Sequence, residues 1–352
     1  MNKLYPIKFI AEPRERVWGG KYLIKKLKKE FPEEDINGTD VNWNEKNIGE
    51  SWEIWSLFGQ GSQIANGFLA ENTIDEVIET YLGDFMGDSV YKYYRGIFPV
   101  LIKILDVEDK LSIQVHPDDK TAEEMEDSFG KAEFWYIMDA KPDAKIYMGF
   151  NRDITPQELY DRIKNSTLEE VLNVITPQKG DCFYIEPGCV HSASGGVVIA
   201  EIQESSDVTY RIYDWGRENN PATARKMHIQ EAIGIIDYKQ YNKDKYFFKH
   251  IVDNKFLVNS SHFIIKAMKL SNEKRIYPSL VSSFIIYMCV DGKAEVVTND
   301  HKTYDINKGE TILIPAGMED FMLKPKTDDA LLLEVYMPQI SEEPDSYIED
   351  KK

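Results

Sequence analysis

The chain has 352 residues, 42% of them hydrophobic and 29% charged, which excludes a disordered, collagen-like or coiled-coil chain. With 42 Lys and Arg against 60 Asp and Glu, the net charge is −18. That balance argues against nucleic acid and anionic membrane surfaces as partners, because both need a cationic face. The length predicts about two domains, large enough to fold without a disulfide or a structural metal, so any bound metal is expected to be functional.

The first half of the chain alternates strand-like and helical patterns. Residues 1–60 read as loops and short strands, and residues 66–86 as helix, with Thr73 as N-cap and Glu76 completing a capping box. Residues 98–115 form a dense β-like run in which Asp109 is expected to occupy a hairpin. Two further strands are predicted within 134–148, around a turn at 141–143.

A second helical stretch is predicted over 155–175. Thr155 caps it, Pro156 takes the first helical position, and Ser166 with Glu169 forms a second capping box that carries the helix on to Ile175. Residues 178–213 are predicted to be strands, 223–233 a short helix and 247–337 strands again. The acidic tail, 341–352, is expected to fray.

An internal repeat predicts the architecture. The segment Lys179-Gly180-Asp181 reappears 129 residues later as Lys308-Gly309-Glu310, and an aromatic strand beginning at Phe134 or Phe284 precedes each copy. The predicted fold is therefore mainly β, with two cupin-type jelly-roll barrels and a helical insertion in the first. We expect a first barrel over residues 1–240 with helical insertions at about 66–90 and 155–176, a second barrel over 241–340 and a tail over 341–352.

Each copy matches a cupin motif in which a Gly hairpin is followed by a His that points into the barrel mouth. The first copy has Gly180, Gly188 and His191, with Glu186 where the motif has Pro; the second copy has Asp320 in place of the His. We therefore expect metal only in the first barrel and a scaffold role for the second.

A set of possible metal ligands accompanies His191. Gln114 and His116 share one face of a strand, and Glu133 precedes the aromatic strand. His116, Glu133 and His191, with Gln114 as a fourth candidate, form an N2O set with an open position, which suits a catalytic Zn²⁺. The ordinary alternative for each His is a hydrogen-bonded structural residue.

A polar strand follows His191 in the sequence. Glu201 and Arg211 are ten residues apart in a β region and could point into the same barrel. The ordinary alternative is a surface strand with Arg211 paired to Asp207 or Asp214.

Five segments in order resemble class I mannose-6-phosphate isomerase, in its short bacterial branch. They are Phe98-Pro-x3-Lys103, Leu111-Ser112-x-Gln114-x-His116-Pro117, Lys131-x-Glu133, Gly188-x2-His191-Ser192 and Glu201-x4-Ser206-Asp207-x3-Arg211. The resemblance implies a pair of cupin barrels and the interconversion of mannose 6-phosphate and fructose 6-phosphate. It also implies zinc ligands at Gln114, His116, Glu133 and His191, an active-site Arg211, and a pocket lined by Lys103, Ser112, Lys131 and Glu201.

The side chains suit that chemistry, which moves a proton between C1 and C2 through a cis-enediol. Glu201 is the candidate proton carrier, and its rivals are a metal-bound hydroxide and a lysine, for which Lys131 is the catalytic candidate. Arg211 offers a forked cation for the enediolate or the phosphate, and Lys103 and Ser112 are expected to bind substrate. Zn²⁺, one per chain, would spread the developing charge.

Two other functions stay open on the sequence alone. One is a different metal-dependent cupin enzyme, such as an oxygenase or epimerase, and the other a non-catalytic sugar-phosphate sensor. Metal content and oxygen dependence distinguish another cupin enzyme from the isomerase, and a turnover assay distinguishes a sensor from either enzyme. Three cysteines without disulfide spacing and the lack of a signal peptide or membrane span favour the cytoplasm, and the chain is expected to be a monomer or homodimer.

Overall fold

Four main sheets carry the fold in the computed structural model, which describes residues 3–35, 37–57, 59–243, 247–248 and 255–340. The first two sheets lie in the first part of the chain. Sheet I has the order β1 (Glu12–Gly20), β2 (Ile48–Ile54), β5 (Val100–Val107), β12 (Val197–Glu204), β7 (Glu133–Ala140), β10 (Cys182–Ile185) and β14 (Phe247–Phe248). Sheet II has the order β13 (Tyr210–Tyr213), β6 (Ile113–Val115), β11 (His191–Ser194), β8 (Lys145–Phe150) and β9 (Leu172–Ile175).

The other two main sheets follow later in the chain. Sheet III has the order β15 (Phe256–Asn259), β16 (Ile264–Lys269), β23 (Leu331–Tyr336), β18 (Ile285–Asp291) and β21 (Thr311–Ile314). Sheet IV has the order β17 (Lys274–Ile276), β22 (Phe321–Pro325), β19 (Lys293–Val297) and β20 (Thr303–Asn307), and a small ribbon joins β3 (Ser56–Leu57) to β4 (Gln60–Gly61). The predicted mainly β fold is confirmed.

The helices are short. They are α1 (Tyr22–Lys25), α2 (Ile74–Tyr81), α3 (Gly83–Met86), α4 (Asp88–Tyr94), α5 (Asp119–Glu126), α6 (Pro156–Lys164) and α7 (Ile229–Ile233), with 3-10 turns at Gly67–Leu69, Leu168–Val171, Arg217–Asn219 and Pro278–Leu280. Within the described ranges, none has the length and apolar character needed to cross a bilayer. The predicted capping box is present. The Thr73 hydroxyl accepts a hydrogen bond from the backbone N–H of Glu76, and the Glu76 carboxylate accepts one from the backbone N–H of Thr73.

Two local predictions are wrong. The helix predicted over 155–176 is correct for Pro156–Lys164, but Leu172–Ile175 is a strand, and Ser166 has φ +55° rather than capping a helix. Long-range pairing of β9 with β8 overrides the local helical pattern. Asp109 does not sit in a hairpin, because β5 belongs to sheet I and β6 to sheet II. The chain crosses between the sheets there and so brings Gln114 opposite sheet I.

The two faces of sheet I pack into two different apolar clusters. One face shares a single cluster with sheet III, including Ile102, Phe134, Ile286 and Leu333. On the opposite face Trp135, Phe183 and Ile199 pack with sheet II residues such as Ala193. Sheet I is therefore buried on both faces, as its nearly continuous hydrophobic strands require.

The repeat is visible as two equivalent turns. Gly180 (φ +92°) donates its N–H to Ile137 O at 2.9 Å, and Gly309 (φ +85°) donates to Cys289 O at 2.8 Å. Both glycines have left-handed backbone, where a side chain would be strained. The strand register differs from the predicted alignment of Phe134 with Phe284 by two residues.

The pairing partners define the corrected register. Glu133 lies opposite Ile185 and Ile285 lies opposite Ile314, and the two partners are themselves 129 residues apart. Glu133 therefore corresponds to Ile285 in the second copy.

Candidate active site

A cleft of about 650 Å³ opens between sheets I and II. Direct cross-strand pairing explains why several predicted residues meet in it. In sheet II, Gln114 lies between His191 on one side and Arg211 on the other, so their three side chains share one face. In sheet I, Glu201 pairs with Lys103 and Trp135, so these three share the opposing face.

The His–Glu–His group joins the two sheets. Nε2 of His116 lies 3.2 Å from Oε1 of Glu133, and Nε2 of His191 lies 3.4 Å from Oε2. All three side chains are at most 1% exposed, and their ligand atoms lie within 4.8 Å of one another. The arrangement could hold one metal ion.

Backbone carbonyls orient both imidazoles. Nδ1 of His116 lies 2.9 Å from the Val208 carbonyl oxygen, and Nδ1 of His191 lies 2.9 Å from that of Cys189. In a neutral imidazole, this contact places the proton on Nδ1 and leaves the Nε2 lone pair facing Glu133. Metal-binding histidines are commonly oriented in this way.

The ionisation states point to a cation between these groups. Burial lowers the pKa of His116 to about 4. Burial would raise the pKa of Glu133, but His116, His191 and Lys131 outweigh it and hold that pKa well below its usual range. At neutral pH a neutral imidazole therefore faces a carboxylate, and His116 Nε2 and Glu133 Oε2 are buried without a hydrogen-bond partner. A metal ion would satisfy both acceptors.

Gln114 lies at the edge of this group. Its amide nitrogen is 3.3 Å from His191 Nε2, and its oxygen accepts a hydrogen bond from Ser112 Oγ at 3.3 Å. A rotation of the amide by half a turn would direct the oxygen toward the histidines and release the Ser112 hydroxyl. The predicted fourth ligand is thus within reach of the group.

A buried polar trio covers the sheet I side of the cleft. Glu201 Oε1 accepts from Trp135 Nε1 at 2.8 Å, and Oε2 lies 3.2 Å from Lys103 Nζ. Burial raises the pKa of Glu201, and Lys103 opposes that rise only in part. Gln203 fixes the lysine by accepting from its Nζ at 2.7 Å.

The second repeat contains the same trio at the same sheet positions. Glu334 pairs with Lys266 and Tyr287, accepts from Tyr287 Oη at 2.8 Å and lies 3.8 Å from Lys266 Nζ. There Lys266 packs over aromatic rings, and Ile285 stands where the first repeat has Glu133. A Lys–Glu–aromatic trio can therefore be part of the fold. Among the described residues, the His116, Glu133 and His191 group lies beside the first trio, and no such group lies beside the second.

Lys131 approaches the metal-ligand group from the loop before β7. Its Nζ lies 3.7 Å from Glu133 Oε1 and donates to Thr209 Oγ1 at 3.4 Å. It is almost fully buried. Its ammonium is therefore held at the cleft between Glu133 and Thr209.

Arg211 projects from sheet II into the cleft. Its Nε donates to Ser112 Oγ at 3.1 Å and its Nη1 to the Lys226 carbonyl at 2.8 Å. No carboxylate of the described residues lies within 4 Å of it, because Asp214 pairs with Arg217 and Arg225 instead. Burial, followed by Arg225, lowers the pKa of Arg211 to about 10, so it stays charged at neutral pH. The alternative of a surface cation paired to Asp207 or Asp214 is wrong.

Charge in the cleft is nearly balanced, in contrast to the −18 of the whole chain. Six basic side chains line it against five acidic ones. The basic residues are Arg16, Lys103, Lys131, Arg211, Arg225 and Lys226, and the acidic residues are Glu50, Glu126, Glu133, Glu201 and Asp207. A divalent cation on Glu133 would make the cleft positive and suited to an anion.

Sequence reasoning missed three residues that support the site. Trp135 holds Glu201, Gln203 holds Lys103, and His228 holds the Arg211 backbone, with its own N–H donating to Arg211 O at 2.8 Å. Gln203 carried a usable signal, since it follows Glu201 by two residues and so shares its strand face. His228 carried none, because only the folded chain brings it beside β13.

The fold and this group define a β protein of the cupin type with a buried site for a metal ion. Comparison with known proteins makes this specific: the type I phosphomannose isomerase catalytic domain matches residues 7–131, and the cupin domain of mannose-6-phosphate isomerase matches residues 253–329. The probable mannose-6-phosphate isomerase GmuF of Bacillus subtilis is 30% identical over 316 residues, covering 88% of this chain and 93% of that relative. The chain belongs to the type I phosphomannose isomerase family and is accordingly an aldose–ketose isomerase.

Further relatives agree. Mannose-6-phosphate isomerase ManA of B. subtilis is 28% identical over 331 residues, covering 91% of this chain and 96% of that relative. The crystal structure of the B. subtilis mannose 6-phosphate isomerase superposes with a TM-score of 0.78 at 27% identity, covering 95% of this chain and 100% of that one. An Archaeoglobus fulgidus structure described as a putative mannosephosphate isomerase has a TM-score of 0.76 at 20% identity, covers 96% of this chain and 100% of that one, and supports the fold alone.

Proposed function

We propose that the protein interconverts mannose 6-phosphate and fructose 6-phosphate through a cis-enediol, with one Zn²⁺ at His116, Glu133 and His191. The observation that carries the proposal is a pair of buried acceptor atoms without a hydrogen-bond partner, His116 Nε2 and Glu133 Oε2. Glu133 lines the cleft together with Arg211, which has no carboxylate within 4 Å among the described residues. The first feature calls for a cation, and the second offers a place for an anion. A sugar phosphate beside a metal ion satisfies both.

Zinc suits the donor set best. Two imidazole nitrogens and one carboxylate leave a position open for substrate, and the Gln114 oxygen can supply a fourth ligand. When bound, Zn²⁺ supplies a Lewis acid that polarises sugar oxygens and offsets negative charge as it develops. A softer metal would favour thiolate ligands, and the nearby Cys189 contacts His191 through its carbonyl oxygen and not its sulfur. Two histidines and one carboxylate also hold Fe²⁺ in oxygenases, and metal analysis separates iron from zinc.

Glu201 is the proposed proton carrier between C1 and C2. Its raised pKa brings it nearer to neutrality, where a group that takes and returns a proton works best. Trp135 and Lys103 hold its two oxygens, so the carboxylate is presented in one orientation. Lys131 is the rival carrier, because its Nζ also reaches the cleft beside Glu133.

Arg211 is the proposed electrostatic group. Two of its five N–H donors are used by Ser112 and Lys226, and three remain for the enediolate or the phosphate. Ser112 orients Arg211 and Gln114 together and is proposed to contact substrate with Lys103. These donors are fixed before substrate arrives, which is the condition for strong transition-state stabilisation.

The wider organisation follows from the same reasoning. We interpret residues 1–240 as a catalytic jelly-roll barrel with helical insertions, which contains sheet II and every strand of sheet I except β14, and residues 241–340 as a metal-free second barrel built on sheets III and IV. The predicted acidic tail, 341–352, lies outside the described residues. Three free cysteines favour a reducing cytoplasm, and the partner is a small sugar phosphate, with a monomer or a homodimer as the assembly.

Proton NMR of mannose 6-phosphate with the purified protein in D2O tests both reaction and route. We expect fructose 6-phosphate to appear and solvent deuterium to enter C1 or C2, because a proton carried by Glu201 can exchange before its return. No turnover of mannose 6-phosphate would contradict the function. Turnover with complete retention of protium would contradict the cis-enediol route, since direct hydride transfer does not exchange with solvent.

A further inference from the structure

The loop that leads into Glu133 is fixed by three successive backbone N–H groups. The bonds run from Gly130 N to Asp119 Oδ1 (2.9 Å), from Lys131 N to Pro117 O (3.1 Å) and from Ala132 N to Glu204 Oε1 (2.7 Å). Lys131 and Glu133 flank Ala132, so these bonds set where both side chains enter the cleft. Two of the three acceptors are carboxylate oxygens, whose bonds to N–H groups are stronger than those of neutral acceptors.

One histidine from the second part of the chain joins those two carboxylates. His262 lies in the turn between β15 and β16 of sheet III, and its Nδ1 is 2.8 Å from Glu204 Oε2 and 3.8 Å from Asp119 Oδ2. Each carboxylate thus accepts a backbone hydrogen bond from the loop with one oxygen, and its other oxygen faces Nδ1 of His262. No other residue of the described chain bonds to Oε2 of Glu204.

His262 is the donor in this contact whenever Glu204 is ionised, because Nδ1 and Oε2 are 2.8 Å apart. Burial lowers the pKa of His262, but the hydrogen bond and charge of Glu204 outweigh burial and raise it. Burial also raises the pKa of Glu204, and His262 opposes that rise only in part. Without that donor, Glu204 would retain a buried oxygen with no hydrogen-bond partner, which is destabilising. The carboxylate would then turn or take up a proton, and its hold on Ala132 would weaken.

We propose that His262 is a positioning residue of the active site, acting through Glu204 and Asp119 on the loop that presents Lys131 and Glu133. The second half of the chain then contributes to catalysis without touching substrate. This inference rests on the proposed function, because isomerase turnover and zinc affinity are its readouts.

Three variants and a matched control test the proposal. His262→Ala should lower kcat by about tenfold and weaken zinc binding by a similar factor, as loss of an outer-shell partner does, with KM nearly unchanged. His262→Asn should restore most of both, because its amide nitrogen stands where Nδ1 stood. His262→Gln places its amide near the Nε2 position and should not. Lys179→Ala removes a different contact with the later strands, the ion pair with Asp291 at 2.5 Å, and should leave both quantities unchanged.

The Asn and Gln variants keep the test decisive if His262→Ala does not fold. Equal activity and zinc affinity in the wild type, Asn and Gln proteins would overturn the proposal, as would equal losses in Asn and Gln. A fall from two zinc ions per chain to one in His262→Ala would also overturn it, because the cluster would then itself be a metal site. An inactive wild-type protein would instead refute the proposed function and is recognised in the same assay.

Discussion

Replacement of Arg211 tests the electrostatic part of the mechanism. Its guanidinium is held by Ser112 and Lys226 at 3.1 and 2.8 Å and has no carboxylate partner among the described residues, so its charge is available to the substrate. Loss of one preorganised donor costs about 10²–10³ in kcat, or about 2.7–4 kcal/mol. We therefore expect Arg211→Ala to lower kcat by about 10²-fold or more. Its two protein hydrogen bonds come from a charged donor and are worth about 1.5–3 kcal/mol each in stability.

Steady-state kinetics with mannose 6-phosphate measure the loss of kcat in each variant. Zinc content is measured on the same samples. Arg211→Lys should recover only part of the loss, because an ammonium cannot reproduce the forked geometry. A dominant rise in KM, with a smaller loss on unphosphorylated mannose, would assign the residue to the phosphate. Arg217→Ala is the control, since it removes an arginine that pairs with Asp109 and Asp214 and does not line the cleft. Near-normal kcat and KM in both Arg211 variants would refute the reasoning.

Four further predictions concern the metal group and the proton carrier. His191→Ala should lose zinc and turnover while circular dichroism still reports the β fold, and full activity in the metal-free variant would contradict the zinc assignment. Elemental analysis should find one tightly held ion per chain, because the second repeat lacks two of the ligands. Ile285 stands in place of Glu133, and Asp320, which pairs with Arg275, stands in place of His191. Two tightly held ions per chain would disprove this. Because a base works when ionised and burial raises the pKa of Glu201, activity should fall on acidification at a pH above the ordinary glutamate value of 4.5. Glu201→Gln should abolish turnover while Glu334→Gln, at the matching position of the second trio, spares it; equal losses in the two variants would assign the trio a structural role only.

Short-range signals in the sequence were sufficient for much of the fold. The capping box at Thr73 and Glu76 depends on residues three apart, and the turns at Gly180 and Gly309 depend on one backbone conformation. The predicted metal ligands and pocket residues also come together around one cleft, because most of them lie on strands, where the facing side alternates regularly, and the others lie within two residues of a strand.

Features that depend on long-range pairing could not be predicted in this way. Leu172–Ile175 has the spacing of a helix but pairs with β8, more than twenty residues earlier. The repeat register was two residues off because β7 and β18 are buried runs with no period that marks a face. His262 meets Glu204 across 58 residues, and no pattern near either residue records that contact.

The central claim is that mannose 6-phosphate turnover depends on one zinc ion at His116, Glu133 and His191. The direct measurement is a coupled assay for fructose 6-phosphate on one preparation, as isolated, after chelation and after zinc is restored. Turnover should disappear with the metal and return as zinc reaches one ion per chain. Undiminished turnover of mannose 6-phosphate by protein shown to be free of metal would contradict the claim.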